Sequence, residues 1–428
     1  MKLSIRIISF CLIIACSQII AAQDAKDSSQ SDWLNWRGLN GNGIVEGQNP
    51  PTEWSADKNV IWKTQLPGNG HSSPTIVGDK ILLATADKAA QTQSVLAYNR
   101  QSGEKIWETE LHSGNLARGI HFKNSYASQT VVSDGTHAFI VFCNDAKIWA
   151  TALTLDGEKV WQKKVGIYES NRTFGFGTSP TFHDGKLFVT SESNGDSFIV
   201  ALNPTNGEEI YRIDRPAGTS YSVPVVATVA GKRQLLMSGV REVAGYDVET
   251  GERLWKTAAK WETCCGTMIW DGDLAFASGG WPAQQTLAIR ADGSGDIVWQ
   301  NSVKVYEQSM ILVDGYIYAQ AEKGIIYCWR GSDGKEMWKS RAKGPESASP
   351  VLAGGHLYFT NELGTTFVIK PNPEEFELVA TNQLGDSTFA SMTMLDDRIY
   401  TRVATGQPPQ RGQKGSKMQD WLYCLGEE

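Results

Sequence analysis

Beyond Ala22 the sequence has no long apolar run. Nothing there approaches the about eighteen consecutive apolar residues a membrane helix needs, which excludes a helical span from the rest of the chain. Clustered basic residues are also missing: 40 Lys and Arg are scattered among 47 Asp and Glu, and the net charge is -7. That balance argues against nucleic acid and anionic membrane surfaces as partners. There is no Cys-x-x-Cys-His for haem attachment, no zinc-ligand spacing among the six His, and no glycine-rich nucleotide loop. Long amphipathic helices are not evident either.

The chain opens with Lys2 and Arg6 ahead of an apolar run from Ile7 to Ala15, which reads as an export signal over residues 1–22. Cleavage after Ala21-Ala22 is one route; lipidation of Cys16 is the other, since Ile13-Ile14-Ala15-Cys16 resembles a bacterial lipobox. A short linker over 23–31 and one domain over 32–428 follow, and the expected location is the periplasm. Of seven Cys, Cys11 and Cys16 fall in the signal, leaving Cys143, Cys264, Cys265, Cys328 and Cys424 in an oxidising compartment. Five is odd, so at least one stays unpaired.

What is abundant is glycine (42), tryptophan (15) and short alternating apolar stretches, the composition of many strands joined by tight turns. One hairpin element recurs: a small or polar residue, an apolar pair, a Gly/Asp turn and an alternating strand. Its copies begin at Ser73-Pro74, Gln129-Thr130, Ser179-Pro180, Val223-Pro224, Thr267-Met268, Ser309-Met310, Ser349-Pro350 and Ser391-Met392. The spacings of 56, 50, 44, 44, 42, 40 and 42 residues match one four-stranded propeller blade.

A second element follows each hairpin, a Gly-centred turn with a large aromatic four positions later: Gly103/Trp107, Gly157/Trp161, Gly207/Tyr211, Gly251/Trp255, Gly295/Trp299 and Gly334/Trp338. A twisted sheet must have its face covered by the next one, and a flat indole fills that gap. These aromatics therefore read as structural docking residues rather than ligand contacts. The eighth unit, Ser391 to Leu425, lacks its own Trp strand, and Asn59 to Lys63, with Trp62, supplies one by pairing with Leu422-Tyr423-Cys424. The expected fold is all-β, an eight-bladed propeller closed by an N-terminal strand. Seven blades is the alternative, if the divergent second unit is an insertion.

Tyr246 to Trp255, with its turn and Trp, resembles the tryptophan-docking repeat of PQQ-type quinoprotein dehydrogenases, and Trp36-Arg37-Gly38-Leu39-Asn40-Gly41-Asn42-Gly43 is similar to a motif common in PQQ-like repeat proteins. The resemblance covers essentially the whole chain after the signal. It implies a fold that serves both quinone- and calcium-dependent alcohol oxidation and non-catalytic scaffolding of the BamB type, so fold alone does not decide activity.

Chemistry in a propeller belongs to the loops entering the innermost strands and those joining second to third strands, which ring one mouth of the channel. Candidates there for contact with a ligand or cofactor are Arg172, Tyr221, Arg241, Cys264, Cys265, Trp281, Glu307, Gln308 and Glu322, with His71, Asn124, Phe174, Glu346, Glu362 and Phe389 on the same loops. Cys264-Cys265 is the most unusual. The resemblance implies a vicinal disulfide against a quinone, although in that family the pair lies early in the chain, and two free thiols read equally well from the sequence. Glu192, Asn194 and Asp196 offer oxygen ligands for calcium, but Asn-Gly-Asp is ordinary turn chemistry and the turn is preferred. Cys328 and Cys424, on equivalent third strands, read as small core residues. Together the residues favour a non-catalytic binding or scaffold propeller of the cell envelope, a monomer with a protein partner or a small ligand at the funnel. The other reading is a PQQ- and calcium-dependent alcohol dehydrogenase.

Overall fold

The computed structural model describes residues 32–170, 173–406 and 418–427. The signal and linker segments with Cys16, Arg172, and the Gln407 to Lys417 stretch lie outside the described residues. Within them the regular structure is all strand, arranged as eight four-stranded antiparallel sheets and one two-stranded ribbon. No helix there is long and apolar enough to cross a membrane.

Each sheet is one blade of an eight-bladed propeller, its strands adjacent in chain order. Blade 1 comprises Thr75–Val77, Lys80–Asp87, Thr92–Asn99 and Lys105–Ser113. The others start at Val132, Thr181, Val225, Ile269, Ile311, Val351 and Thr393. Blade 8 takes its fourth strand from Val60–Gln65, which sets Trp62 opposite Cys424, Lys63 opposite Tyr423 and Thr64 opposite Leu422. This is the closure expected from the missing Trp strand, and it completes the eighth four-stranded sheet from the two ends of the described chain. The seven-bladed alternative fails because Val132 to Ile167 forms a complete blade. Its longer spacing is a loop, 114–131, that feeds the blade.

The repeated Ser or Thr at the hairpin start forms a hydroxyl belt around the axis. The Ser73 N–H donates to Thr130 Oγ1 (3.1 Å), Thr130 N–H to Ser179 Oγ (2.9 Å), Thr267 N–H to Ser309 Oγ (2.9 Å), Ser309 N–H to Ser349 Oγ (2.9 Å), Ser349 N–H to Ser391 Oγ (3.0 Å) and Ser391 N–H to Ser73 Oγ (3.0 Å). Thr130 thus stands where Ser73 and Ser179 stand, so the second repeat begins at Thr130-Val131, one residue later than the sequence pattern places it. Val223 has no hydroxyl and interrupts the belt.

The docking aromatics work between blades. The indole N–H of Trp62 donates to Arg100 O (3.2 Å), Trp107 to Leu155 O (2.9 Å), Trp161 to Pro204 O (2.8 Å), Trp299 to Gly331 O (2.6 Å) and Trp338 to Asn372 O (2.8 Å), while the Tyr211 hydroxyl donates to Val248 O (2.8 Å). Most of these rings lie on the Gly turn of the following blade. A Cβ at Gly103, Gly157, Gly207 or Gly334 would fall 2.5, 2.7, 2.7 or 2.6 Å from the preceding indole, and all four have positive φ, so glycine is required twice over. Across the sheet each aromatic faces a small third-strand residue: Ala97 for Trp107, Ala152 for Trp161, Ala201 for Tyr211, Ala288 for Trp299, Cys328 for Trp338 and Cys424 for Trp62. Cys328 and Cys424 are fully buried, as small core residues.

Trp255 departs from this scheme. Its cross-strand neighbour is Gly245, a hydrogen where the others have a methyl or thiol. The indole settles into that space, where a Cβ on Gly245 would lie 2.3 Å from Nε1, and donates to Gln234 of its own blade (2.7 Å) instead of to the next.

The motif Trp36 to Gly43 lies in a segment that crosses one end of the axis. Trp33 pairs with Ile76 of blade 1, Ser133 N–H of blade 2 donates to Leu34 O, and Asn35 bonds reciprocally with Phe182 of blade 3. Arg37 reaches Met310 of blade 6, Gly43 and Val45 bond Leu352 of blade 7, and Trp36 donates to Ser391 of blade 8. Gly43 is needed because a Cβ there would stand 2.8 Å from Pro350 O.

Candidate functional site

Trp36 forms part of the lining of a central cavity of about 410 Å³ whose walls are rings: His71 stacked on Phe389 (4.3 Å), His121 edge-on to Phe174 (5.1 Å), Tyr221 and Tyr306. A second cavity of about 410 Å³ adjoins it, sharing His71, His121, Asn124 and Phe389. A third, about 300 Å³, shares Lys123, Tyr306 and Glu307. The blade 2 loop, 114–131, positions most of the polar groups. Asn124 donates to Phe174 O (2.6 Å), holding the loop against blade 3 and aiming Lys123 across the funnel at blades 6 and 7.

There Lys123 Nζ meets Glu307 Oε2 at 3.0 Å and Glu362 Oε1 at 2.9 Å. The Ser347 hydroxyl lies 2.8 and 2.6 Å from the same two oxygens and donates its one hydrogen to either of them. One ammonium therefore serves two carboxylates, and a hydroxyl sits between them. Burial works to lower the Lys123 ammonium, but Glu307 and Glu362 outweigh it and hold it above its usual range. Burial drops His71 to about 4, and it also lowers His121, so both imidazoles are neutral at pH 7 and add no positive charge beside Lys123.

Glu346 joins this group from the side cavity. Burial, reinforced by Glu307 and Glu362 and opposed by the Gly324 N–H and by Lys123, raises its carboxyl to about 8, and its Oε2 is buried without a hydrogen-bond partner. The folded state then holds a proton that the unfolded chain releases between the ordinary carboxylate range and pH 8, so stability falls as pH rises through that window. Glu346→Gln, which mimics the protonated form, is expected to melt about 2–4 °C above wild type at pH 9 and level with it near pH 4, by differential scanning calorimetry.

Of the residues singled out in the sequence, Tyr221, Cys265 and Glu307 line the central cavity together with His71, Asn124, Phe174 and Phe389. The Tyr221 phenol is pushed up by burial and by the neighbouring Tyr168. Glu322 stands in the side cavity, where it pairs with Lys304 (3.1 Å). Gln308 is buried behind the wall and donates to Gln320 O. Arg241 is exposed and paired with Glu262, and Trp281 stands exposed on the two-stranded ribbon. Cys264 and Cys265 are separate thiols with different surroundings. Cys264 is buried beside the Ser220 and Ser238 hydroxyls (3.4 and 3.2 Å) and raised to about 11, while Cys265 faces the funnel.

Glu192 is fully buried and committed to Arg215 (2.8 Å) and the Val240 N–H (2.8 Å). Asp196 accepts from the Ile167 N–H (2.8 Å), and the Asn194 N–H donates to Glu169 O (2.8 Å), so these oxygens and amides build a turn rather than converge on one point. Lys123, His121, Ser347 and Tyr306 were not read from the sequence. For Lys123 and His121 the one signal was the long, divergent spacing of the second repeat; Tyr306 and Ser347, before blades 6 and 7, carried none.

Calcium with a quinone would need several convergent oxygen donors and a base left free for the alcohol proton. Among the described residues no three His, Cys, Asp or Glu side chains converge in that way. The two funnel carboxylates that face each other have an ammonium between them. This donor set does not fit a calcium and quinone centre.

The model of the family described as outer membrane protein assembly factor BamB, a PQQ-like repeat family, matches residues 44–166, 144–304 and 283–370. A polyvinylalcohol dehydrogenase from Pseudomonas sp is 23% identical over 277 residues, covering 53% of this chain and 40% of that protein, so the chain spans well under half of that relative's length in the match. Among solved structures, BamB from Moraxella catarrhalis is similar with a TM-score of 0.58 at 13% identity, covering 85% of this chain and 99% of that one. Quinohemoprotein alcohol dehydrogenase from Comamonas testosteroni is similar with a TM-score of 0.66 at 12% identity, covering 94% and 82%. These structural likenesses speak to the fold alone. With three overlapping matches running from residue 44 to 370, the chain belongs to the PQQ-like β-propeller repeat family that includes BamB.

Proposed function

We propose that this protein is an exported, non-catalytic binding propeller of the cell envelope, and that the funnel receives a small ligand or a segment of a protein partner. The observation that carries this reading is Lys123, which neutralises Glu307 and Glu362 where a metal-dependent dehydrogenase would keep carboxylates for a cation and a base. Large apolar side chains on the funnel-side loops support a partner: Phe122, Leu363 and Trp281 are 63%, 53% and 41% exposed. Likeness to the assembly factor BamB agrees with a protein partner, and the apolar opening of the sequence agrees with export.

A dehydrogenase is the second reading. It is favoured by the ring-lined cavity of about 410 Å³, wide enough for a planar cofactor, and by the match to polyvinylalcohol dehydrogenase. The deciding assay is alcohol-dependent reduction of an artificial dye after incubation with PQQ and Ca²⁺, using short primary and secondary alcohols and polyvinyl alcohol. The binding reading expects no turnover above the protein-free control. Turnover that depends on both additions, and that Cys265→Ser or Glu307→Gln lowers, overturns it.

A further inference from the structure

Four arginines are buried among the described residues: Arg37, Arg100, Arg215 and Arg402. Three of them carry a carboxylate. Arg100 pairs with Asp396, Arg215 with Glu192 and Glu242, and Arg402 with Asp420. Arg37, only 2% exposed, has none. Its Nη2 donates to Asn42 O and Met310 O, both at 2.8 Å, which uses that nitrogen's two hydrogens. Nε and Nη1, with three further N–H donors, have no hydrogen-bond partner.

Buried charges are paired because removing an ion from water costs several times what a hydrogen bond returns. Two backbone carbonyls supply partial negative charge at one nitrogen and nothing at the other two. Burial alone, with no opposing charge, lowers this guanidinium to about 9, which leaves it cationic at neutral pH. Position excludes a large counter-ion, since Arg37 sits in the segment that closes one end of the axis, held between blades on nearly every side.

We propose that a small monovalent inorganic anion, chloride in size and charge, binds against Nε and Nη1 of Arg37 and locks the Trp33 to Val45 segment across the propeller axis. The anion completes the pairing that the other three buried arginines obtain from Asp or Glu. This site is independent of the funnel reading, because Trp36 rather than Arg37 belongs to the funnel wall.

The test compares melting temperature in sodium chloride and in sodium gluconate, an anion too large to enter, at equal ionic strength. Wild type is expected to gain on the order of 5 °C as chloride saturates, with no gain in gluconate. Arg37→Met is expected to lose that difference. Coincident curves for wild type in the two salts overturn the proposal and leave water as the occupant, and a chloride effect that survives in Arg37→Met overturns it too. Should Arg37→Met fail to fold, wild-type crystals soaked in bromide decide. An anomalous peak beside Nε and Nη1 supports the site, and its absence at full lattice occupancy of other bromides sinks it.

Discussion

Trp161→Ala is expected to lower the stability of the folded chain by about 3–5 kcal/mol, read from urea denaturation. The indole is 8% exposed, spans the gap between blades 2 and 3, and donates to Pro204 O. Removing it opens a cavity and strands that carbonyl. Gly207→Ala attacks the same joint from the other side: φ is +69° and the new methyl would meet the Trp161 ring at 2.7 Å, so a loss of about 2–3 kcal/mol is expected. Because one methyl disturbs what the other side chain provides, the double variant should lose less than the sum. Trp281→Ala, at 41% exposure, should change stability by under about 0.5 kcal/mol. Equal losses at Trp161 and Trp281 would contradict blade docking as the source of the tryptophan pattern.

The second large effect concerns Glu192. Arg215→Met leaves its carboxylate fully buried with the Val240 N–H and the Ser220 hydroxyl but no cation to balance it, at an expected cost of about 3–5 kcal/mol. Glu192→Gln in the same background removes the stranded charge and should recover most of that loss, which a double-mutant cycle measures. Arg241→Gln, whose side chain is 70% exposed, is the control and should be nearly silent. If Ca²⁺ restored the Arg215→Met variant, Glu192 would be a metal ligand after all, and the ion-pair account would fail.

These cases show where sequence reading succeeds. Blade number and ring closure were legible because both follow from local patterns: alternation along a strand, a Gly turn, and an aromatic four residues on, repeated at nearly constant spacing. Trp62 was legible as the missing eighth aromatic for the same reason. The start of blade 2 was misread by one residue because a long loop precedes it and Gln129 imitates the small polar residue that Thr130 supplies to the belt.

The site was harder to read. The loops that ring the funnel follow from topology, so His71, Asn124, Phe174, Tyr221, Cys265, Glu307 and Phe389 could be placed on its wall. Pairings across the axis follow from no local rule. Lys123 and Glu307 are 184 residues apart and meet only because blades 2 and 6 face each other. The oxygens of Glu192 look free in a Glu-Ser-Asn-Gly-Asp string until folding brings Arg215 beside them. Trp255 has the same Gly turn four residues before it as the other docking aromatics, yet Gly245 across the strand lets it turn inward.

Calcium titration by calorimetry, on wild type, Lys123→Met and Glu307→Gln, tests the central claim most directly. With Lys123 between Glu307 and Glu362, wild type should show no saturable heat that depends on Glu307, whereas Lys123→Met, which frees both carboxylates beside Glu346, should gain a calcium site. Saturable binding by wild type that Glu307→Gln abolishes would contradict the account and move the funnel from a binding pocket to a metal centre.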